Sequence, residues 1–252
     1  MLSIIIPVLN EAETISALLK HLTSHSNPQN ISEIIVVDGG SDDNTEEQVK
    51  SFKPHRFQKP VRFVKSAKGR AKQMNAGARN ATGDVLYFLH ADSFPPRNFD
   101  QLILDEVKKE NPAGCFRMQF DSNHWWLRLA SWLTKFNWRA CRGGDQSQFI
   151  TKELFNEIGG YDESYIIYED NILLNELYER DTFTVINKKL TSSARLYRTL
   201  GVWYVQYHFW TIYVKKWLGA DADELYAYYS KHIRLKCKEK LSELHTAQPQ
   251  EA

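Results

Sequence analysis

The chain has 252 residues, of which 42% are hydrophobic and 25% charged, the ordinary make-up of a globular protein with room for one sizeable core and an appendage. Its formal net charge of +1 removes any global electrostatic reason for a nucleic-acid partner. Three widely spaced cysteines, Cys115, Cys141 and Cys237, without a Cys-x-x-Cys, argue against a disulfide framework or zinc site and for a reducing, cytoplasmic setting.

The chain opens on an apolar run. Residues 4–8 (Ile-Ile-Ile-Pro-Val) read as a strand, and the absence of a basic n-region and a cleavage site argues against a signal peptide. Residues 11–22 follow as a helix with Ile15, Leu18, Leu19 and Leu22 on one face. A second strand is expected at 34–38, then a turn-rich loop at 39–45, a helix at 45–52 and a third strand at 61–64. A helix at 69–80 carries Ala71, Met74 and Ala78 along one side, and the turn Thr82-Gly83-Asp84 leads into a fourth strand at 85–89. Strands alternating with helices predict right-handed βαβ units and a parallel sheet.

From residue 94 the pattern changes. A helix is expected at 94–109, a strand at 114–120, an aromatic helix at 124–136, a strand at 147–151 and a short helix at 152–158. A helix at 169–179, a strand at 182–186 and two helices at 200–218 and 221–241 follow. All seven tryptophans fall between Trp125 and Trp217. The uncharged stretch 199–214 contains Gln206, His208 and Thr211 and is too short and polar to span a membrane. Its stripe Trp203, Tyr207, Trp210, Val214, Trp217, bordered by Lys215 and Lys216, reads first as core packing, second as an interfacial helix and third as a homodimer face. The cations Lys231, Arg234, Lys236, Lys238 and Lys240 add weight to a membrane surface. The sequence shows no internal repeat, and its polar end, 244–252, is expected to be disordered.

Several segments carry chemistry. Asp92, in His90-Ala91-Asp92, follows a buried strand where open α/β sheets bind ligands; one carboxylate there can hold a divalent cation, which can hold a diphosphate. Taken alone, the same aspartate is a turn former. Asn10 and Asp38 follow the first two strands and would share a crevice, or simply cap helices and turns. Lys68-Gly69-Arg70-Ala71-Lys72 opens a helix and offers an anion site, or a solvated basic face. Gly143-Gly144-Asp145-Gln146 is a turn, or a pair of hydrogen-bonding side chains for sugar hydroxyls. Glu169-Asp170 either stabilises its helix dipole or supplies a base, and Arg195 and Arg198 are surface cations or a diphosphate clamp.

In this order the segments 3–11 (Ser-Ile-Ile-Ile-Pro-Val-Leu-Asn-Glu), 36–45 (Val-Val-Asp-Gly-Gly-Ser-Asp-Asp-Asn-Thr) and 69–77, with His90-Ala91-Asp92 and Glu169-Asp170, resemble family-2 glycosyltransferases. Within them the chain is most similar to a small bacterial subgroup with Leu-His-Ala-Asp and Gly-Asp-Gln motifs. The resemblance implies an α/β GT-A fold: a mostly parallel central sheet with helices on both faces and a helical C-terminal extension. It divides the chain into a transferase domain at 1–198, with a nucleotide-binding half at 1–92 and an acceptor and catalytic half at 93–198, and C-terminal helices at 199–243.

The resemblance also implies roles. Pro7, Leu9 and Glu11 lie against the nucleoside, and Asp38 binds the base edge, with uracil favoured. Arg70 and Asn75 approach the ribose or diphosphate. His90, Ala91 and Asp92 form the metal motif, and Asp92 holds Mn2+ or Mg2+. Asp170 is the general base of an inverting transfer. Asp145, Gln146 and Glu169 face the donor sugar or acceptor, and Arg195 and Arg198 neutralise the diphosphate. Two departures stand out: His90 replaces the first Asp of the metal motif, and Asp38-Gly39-Gly40-Ser41 replaces Asp-Asp-Gly-Ser.

The implied function is transfer of a sugar from a nucleotide diphosphate sugar, a UDP-sugar first, to a hydroxyl acceptor. A lipid-linked acceptor and a place at the inner membrane surface stay open. Of the alternatives, a sugar-phosphate nucleotidyltransferase needs a glycine-rich, cationic loop after the first strand, and Pro7 to Glu11 has neither feature. A nucleotide-sugar or glycan-binding protein without turnover would have no use for Glu169-Asp170.

Overall fold

A computed structural model describes residues 1–54, 57–143 and 146–246. The chain forms two units: Met1–Glu163 with Tyr168–Ser192, and Ser164–Ile167 with Ser193 onward. The division falls after Ser192, a few residues before the boundary expected at 198.

The first unit is built on an eight-stranded sheet. Its elements are β1 (Leu2–Val8), α1 (Ala12–His25), β2 (Ile31–Asp38), α2 (Thr45–Ser51), β3 (Val61–Lys65), α3 (Arg70–Asn80), β4 (Val85–Phe88) and β5 (Ser93–Phe94). They continue with α4 (Phe99–Lys108), β6 (Ala113–Phe120), α5 (Trp125–Leu133), a 3-10 turn (Arg139–Cys141), β7 (Gln148–Thr151), α6 (Lys152–Ile158), α7 (Glu169–Glu179) and β8 (Phe183–Ser192). The strand order is β3-β2-β1-β4-β7-β6-β8-β5. β1 to β4 run parallel to one another, and β6 is parallel to β8, whereas β7 and β5 run against their neighbours.

Successive strand side chains point to opposite faces. Ile5, Ile35, Val37, Leu86 and Phe88 pack with Ala71, Met74 and Ala78 of α3 and with Leu173, Leu174 and Leu177 of α7. The alternating Ile4, Ile6, Ile34 and Val36 are also fully buried, so both faces of the sheet are covered. α3 comes close enough to the sheet that a Cβ at Gly77 would collide with Ile5 and press on Val37, 3.1 Å away.

Two expectations for this unit change. The helix begins at Phe99 instead of residue 94, because Ser93–Phe94 pairs with Thr191 and Ser192 of β8 and Pro95-Pro96 keeps the chain extended. β8 runs to Ser192, well past 186, and pairs with β6 on both sides of an irregularity, where Phe116 faces Ile186 and the next residue, Arg117, faces Lys189.

α5 turns part of its apolar surface outward. Its inner face carries Leu127 and hydroxyls: the Ser131 hydroxyl accepts the Phe120 N–H at 3.1 Å, and the Thr134 hydroxyl just beyond the helix accepts the Met118 N–H at 2.9 Å. β7 pairs with β6 only at Ala113 and Gly114, so these hydroxyls take over where the neighbouring strand stops. The stripe Trp125, Leu129, Trp132 is exposed.

The second unit contains α8 (Arg195–Leu200), α9 (Val202–Trp217), α10 (Ala222–Tyr229), a π-helical turn (Ser230–Arg234) and α11 (Leu235–Thr246). The expected helix at 200–218 breaks at Gly201, whose φ of +89° ends α8 and starts α9. The expected final helix divides at the π turn, and helix continues to Thr246, into the segment expected to be disordered; 247–252 lie outside the described residues.

The first reading of the α9 stripe is overturned. Trp203, Tyr207, Trp210, Val214 and Trp217 are exposed, and α9 buries Val205, His208 and Ile212 instead. His208 Nδ1 lies 2.7 Å from the Tyr228 hydroxyl, and its ring stacks on His232 at 4.8 Å. The lysines expected to border the stripe turn to tyrosines: Lys216 donates to the Tyr165 hydroxyl at 2.6 Å, and Lys215 lies over the Tyr228 ring.

Candidate active site

The register of the parallel strands assembles the crevice. Val8 pairs with Asp38, Ile5 pairs with Phe88, and the Leu89 N–H donates to the Ile5 carbonyl at 3.0 Å. The loops after β1, β2 and β4 therefore leave one edge of the sheet, from strand ends spread over about 10 Å at ~4.8 Å per strand. This edge gathers Pro7, Leu9, Glu11, Asp38, His90, Ala91 and Asp92.

The first two loops are laced together. Asn10, at a φ of +58°, donates its N–H to Ser41 Oγ at 2.9 Å and accepts the Asp42 N–H at 3.0 Å. The Glu11 N–H donates to Thr45 Oγ1 at 3.0 Å, and the Ala12 N–H donates to Asp43 at 3.1 Å. Burial pushes the Asp43 carboxyl up, but hydrogen bonds from Thr45 and Ala12 outweigh it and hold the group below its ordinary value.

Asp38 is 4% exposed. Its oxygens accept the N–H groups of Gly40 at 3.0 Å and Ser41 at 3.1 Å, and the Ser41 hydroxyl at 2.5 Å. In this state the carboxylate shapes the Gly39-Gly40-Ser41 turn, and a base edge would have to compete with those donors.

Beneath these loops, Gln73 of α3 donates to the carbonyls of Val8 at 2.7 Å and Val37 at 2.8 Å. It satisfies two strand-end carbonyls in the buried floor and ties β1 to β2. Sequence reasoning missed it; the only signal was a polar side chain in a helix otherwise packed with Ala71, Met74 and Ala78.

A second cluster comes from α3 and α7. Arg70 Nη1 lies 3.2 Å from Glu169 and 3.7 Å from Asp170. Gly69, at a φ of +135°, launches α3 so that Arg70 is its first residue, and Tyr168, at a φ of +74°, does the same for α7. Residues almost 100 positions apart thus share one charged cluster, with two carboxylates in the first turn of α7, where the helix dipole favours them. Buried Tyr161 lies against it; burial, then the charges of Asp170 and Glu169, push its hydroxyl well above its ordinary value.

Asn75 has another task than the one expected. Its amide donates to the Tyr161 carbonyl at 2.9 Å and to Glu163 at 3.0 Å, and its oxygen accepts the Tyr161 N–H at 3.0 Å. It clamps the chain just ahead of α7.

Asp170 also lines a small cavity with Cys115, Gly143, Gln146, Ser147, Gln148, Leu174 and Phe183. The Gln146 side chain accepts from Arg142 at 2.8 Å and donates to the Cys141 carbonyl at 3.0 Å. Arg142 is itself buried and also donates to the Thr134 and Phe136 carbonyls at 2.5 and 2.6 Å. Gln146 is thus part of the cavity's frame. Asp145 lies outside the described residues. Arg195 and Arg198 stand on α8, in the second unit.

Among the described residues no three His, Cys, Asp or Glu side chains cluster as a metal cage. The donor set at the β4 edge is a single carboxylate, Asp92, on a partly exposed turn. That fits a hard ion such as Mg2+ or Mn2+, which completes its coordination with phosphate oxygens and water.

The profile of the family described as Glycosyl transferase family 2 matches residues 3–169. A Methanococcus voltae protein, dolichyl N-acetyl-alpha-D-glucosaminyl phosphate 3-beta-D-2,3-diacetamido-2,3-dideoxy-beta-D-glucuronosyltransferase, is 30% identical over 195 residues, which cover 71% of this chain and 59% of that one. Glycosyltransferase AglE of Haloferax volcanii is 36% identical over 93 residues, 37% of this chain and 31% of its own. The chain thus aligns with about a third to three-fifths of these relatives' lengths.

In fold, the mannosyltransferase PcManGT from Pyrobaculum calidifontis, in complex with GDP-Man and Mn2+, superposes with a TM-score of 0.63 at 17% identity, covering 98% of this chain and 76% of that one. S. aureus TarS in complex with UDP gives 0.60 at 16% identity, covering 77% and 60%. The profile runs through the very strands and loops that build the crevice and stops at the carboxylate that Arg70 holds; the chain belongs to glycosyl transferase family 2 and has the GT-A fold.

Proposed function

We propose that the chain transfers a sugar from a nucleotide diphosphate sugar to a hydroxyl acceptor, with inversion and with a divalent metal. The observation that carries the reading is the Arg70–Glu169–Asp170 cluster, a cation and two carboxylates drawn from separate halves of the chain. Structural neighbours with the same fold hold UDP or GDP-Man with Mn2+, which supports a nucleotide-linked donor. A relative that acts on a dolichyl phosphate-linked sugar supports a lipid-linked acceptor.

In this reading Pro7, Leu9 and Glu11 line the nucleoside, and Asp38 keeps the neighbouring loop in shape beside the base. Asp170 accepts the acceptor hydroxyl's proton as that oxygen attacks the sugar carbon from the side opposite the diphosphate. Glu169 holds Arg70, whose guanidinium is half exposed and stands where a diphosphate can share it. Asp92, with His90 and Ala91 shaping its turn, would hold the metal, which when bound spreads the charge of the departing diphosphate.

The test is a thermal-shift panel of UDP, GDP and their sugars with and without Mn2+, followed by measurement of nucleotide release with candidate acceptors and of the product's anomeric configuration. A metal-enhanced stabilisation by one nucleotide, an inverted product, and loss of both metal enhancement and turnover in Asp92→Ala are expected. Binding without turnover on any acceptor would favour a binding protein; full activity of Asp92→Ala would remove the metal assignment.

A further inference from the structure

We infer that α5 docks the protein on an anionic lipid surface. This helix turns more of its large apolar side chains to solvent than to the core. Its inner face holds Leu127 and, against β6, the hydroxyls of Ser131 and Thr134, while Trp125 (61% exposed), Leu129 (39%) and Trp132 (47%) point outward at the spacing of one helical stripe. Phe136 and Trp138 stack at 4.8 Å and extend the patch, with Trp138 60% exposed. Burying such rings is favourable, so a stripe turned to water marks a surface that something covers.

The charge pattern selects the occupant. Between Ser122 and Gly143 there is no Asp or Glu, and Arg128 and Lys135 are exposed along one flank of the stripe. Lys135 Nζ stands 4.4 Å from the Trp132 ring centre and 4.7 Å from that of Phe136, so the cations and the rings present one composite face. Tryptophans flanked by cations are the composition of helices that lie in the headgroup region, rings inward and cations toward anionic headgroups.

The second unit carries the same combination independently. The α9 stripe is exposed, with Trp217 at 84%, and residues 193–246 hold nine Lys and Arg against five Asp and Glu in a chain whose net charge is only +1. The docking does not rest on the transferase reading, since a binding protein with this α5 would dock equally.

The experiment is co-sedimentation of the full chain with phosphatidylcholine vesicles, with and without phosphatidylglycerol. Binding to the anionic vesicles is expected, weakened roughly tenfold on pure phosphatidylcholine or at high salt. A Trp125→Ser, Trp132→Ser variant should lose roughly tenfold in binding while keeping its thermal midpoint, because both rings are exposed. Vesicle binding unchanged in that variant, or absent in the natural chain, overturns the proposal. So does a solution dimer that this variant dissolves without any vesicle binding. Should the variant misfold, a chain with Trp203, Trp210 and Trp217 each changed to Phe keeps the question open to measurement. Quenching of its remaining tryptophans by acyl-brominated anionic lipid supports α5 docking, and no quenching refutes it.

Discussion

Glu169 and Asp170 are neighbours in sequence with different surroundings. Glu169 is 1% exposed and is the nearer partner of Arg70, whereas Asp170 faces the small cavity. In the function proposed above, that difference gives positioning to the first and proton transfer to the second. Asp170→Asn is expected to lower turnover by roughly 10²–10⁴-fold with little change in donor affinity, read by nucleotide release and by thermal shift. Glu169→Gln should instead weaken donor binding while turnover at saturation falls less, a KM-against-kcat split that separates the roles. Arg70, Asp92, Glu169 and Asp170 each admit a structural explanation when taken singly, as a solvated cation, a turn former or helix-dipole partners, and only the order of the motifs singled them out. That order could not reveal the clamp that Asn75 makes on Tyr161, nor Gln73 or Arg142. A side-chain amide or guanidinium that serves distant backbone carbonyls leaves no local pattern, since its partners are chosen by the fold.

The βαβ half reads well from sequence because its signals are local: apolar runs, Gly-rich turns and helical periodicity agree with the final packing. Gly77 shows how close that packing is. Gly77→Val should destabilise the protein by about 1–3 kcal/mol in chemical denaturation, since α3 must back away from Ile5 and Val37. A second constraint lies where β2 starts. Buried Glu33 accepts from Ser3 and from the N–H and hydroxyl of Thr82, at 3.0 and 2.5 Å, tying β1, β2 and the turn before β4. Burial pushes its carboxyl up, yet these hydrogen bonds outweigh it and hold the folded-state pKa below the ordinary 4.5. A depressed carboxylate stabilises the fold above its unfolded value, and that contribution disappears as pH falls through the folded one. Stability measured from pH 6 to pH 3 should therefore drop less steeply in Glu33→Gln, from a lower plateau. The second half was harder to read: periodicity finds α5 and α9 but not which way they face, because a stripe of tryptophans looks the same buried or exposed.

At the scale of the whole molecule, composition gave no global electrostatic reason for a nucleic-acid partner and argued against a disulfide scaffold, and ordered motifs pointed to the family, but the exact division after Ser192 had no marker in composition. Nor did the strand order beyond β4, where β7 and β6 interleave and β8 returns beside β6; such pairings join residues far apart in the chain. One detail there bears on behaviour in concentrated solution. Past Gly114, the hydroxyls of Ser131 and Thr134 take the N–H groups of Phe120 and Met118 of β6, beyond the point where β7 stops pairing. Those two groups act as a stopper, occupying donors that would otherwise recruit a strand from another molecule. Ser131→Ala with Thr134→Val should therefore show its defect as chain-to-chain growth, seen as rising light scattering with concentration, before any comparable fall in melting temperature. The same pair of side chains that lets α5 turn its rings outward would keep the molecule from polymerising through its own sheet.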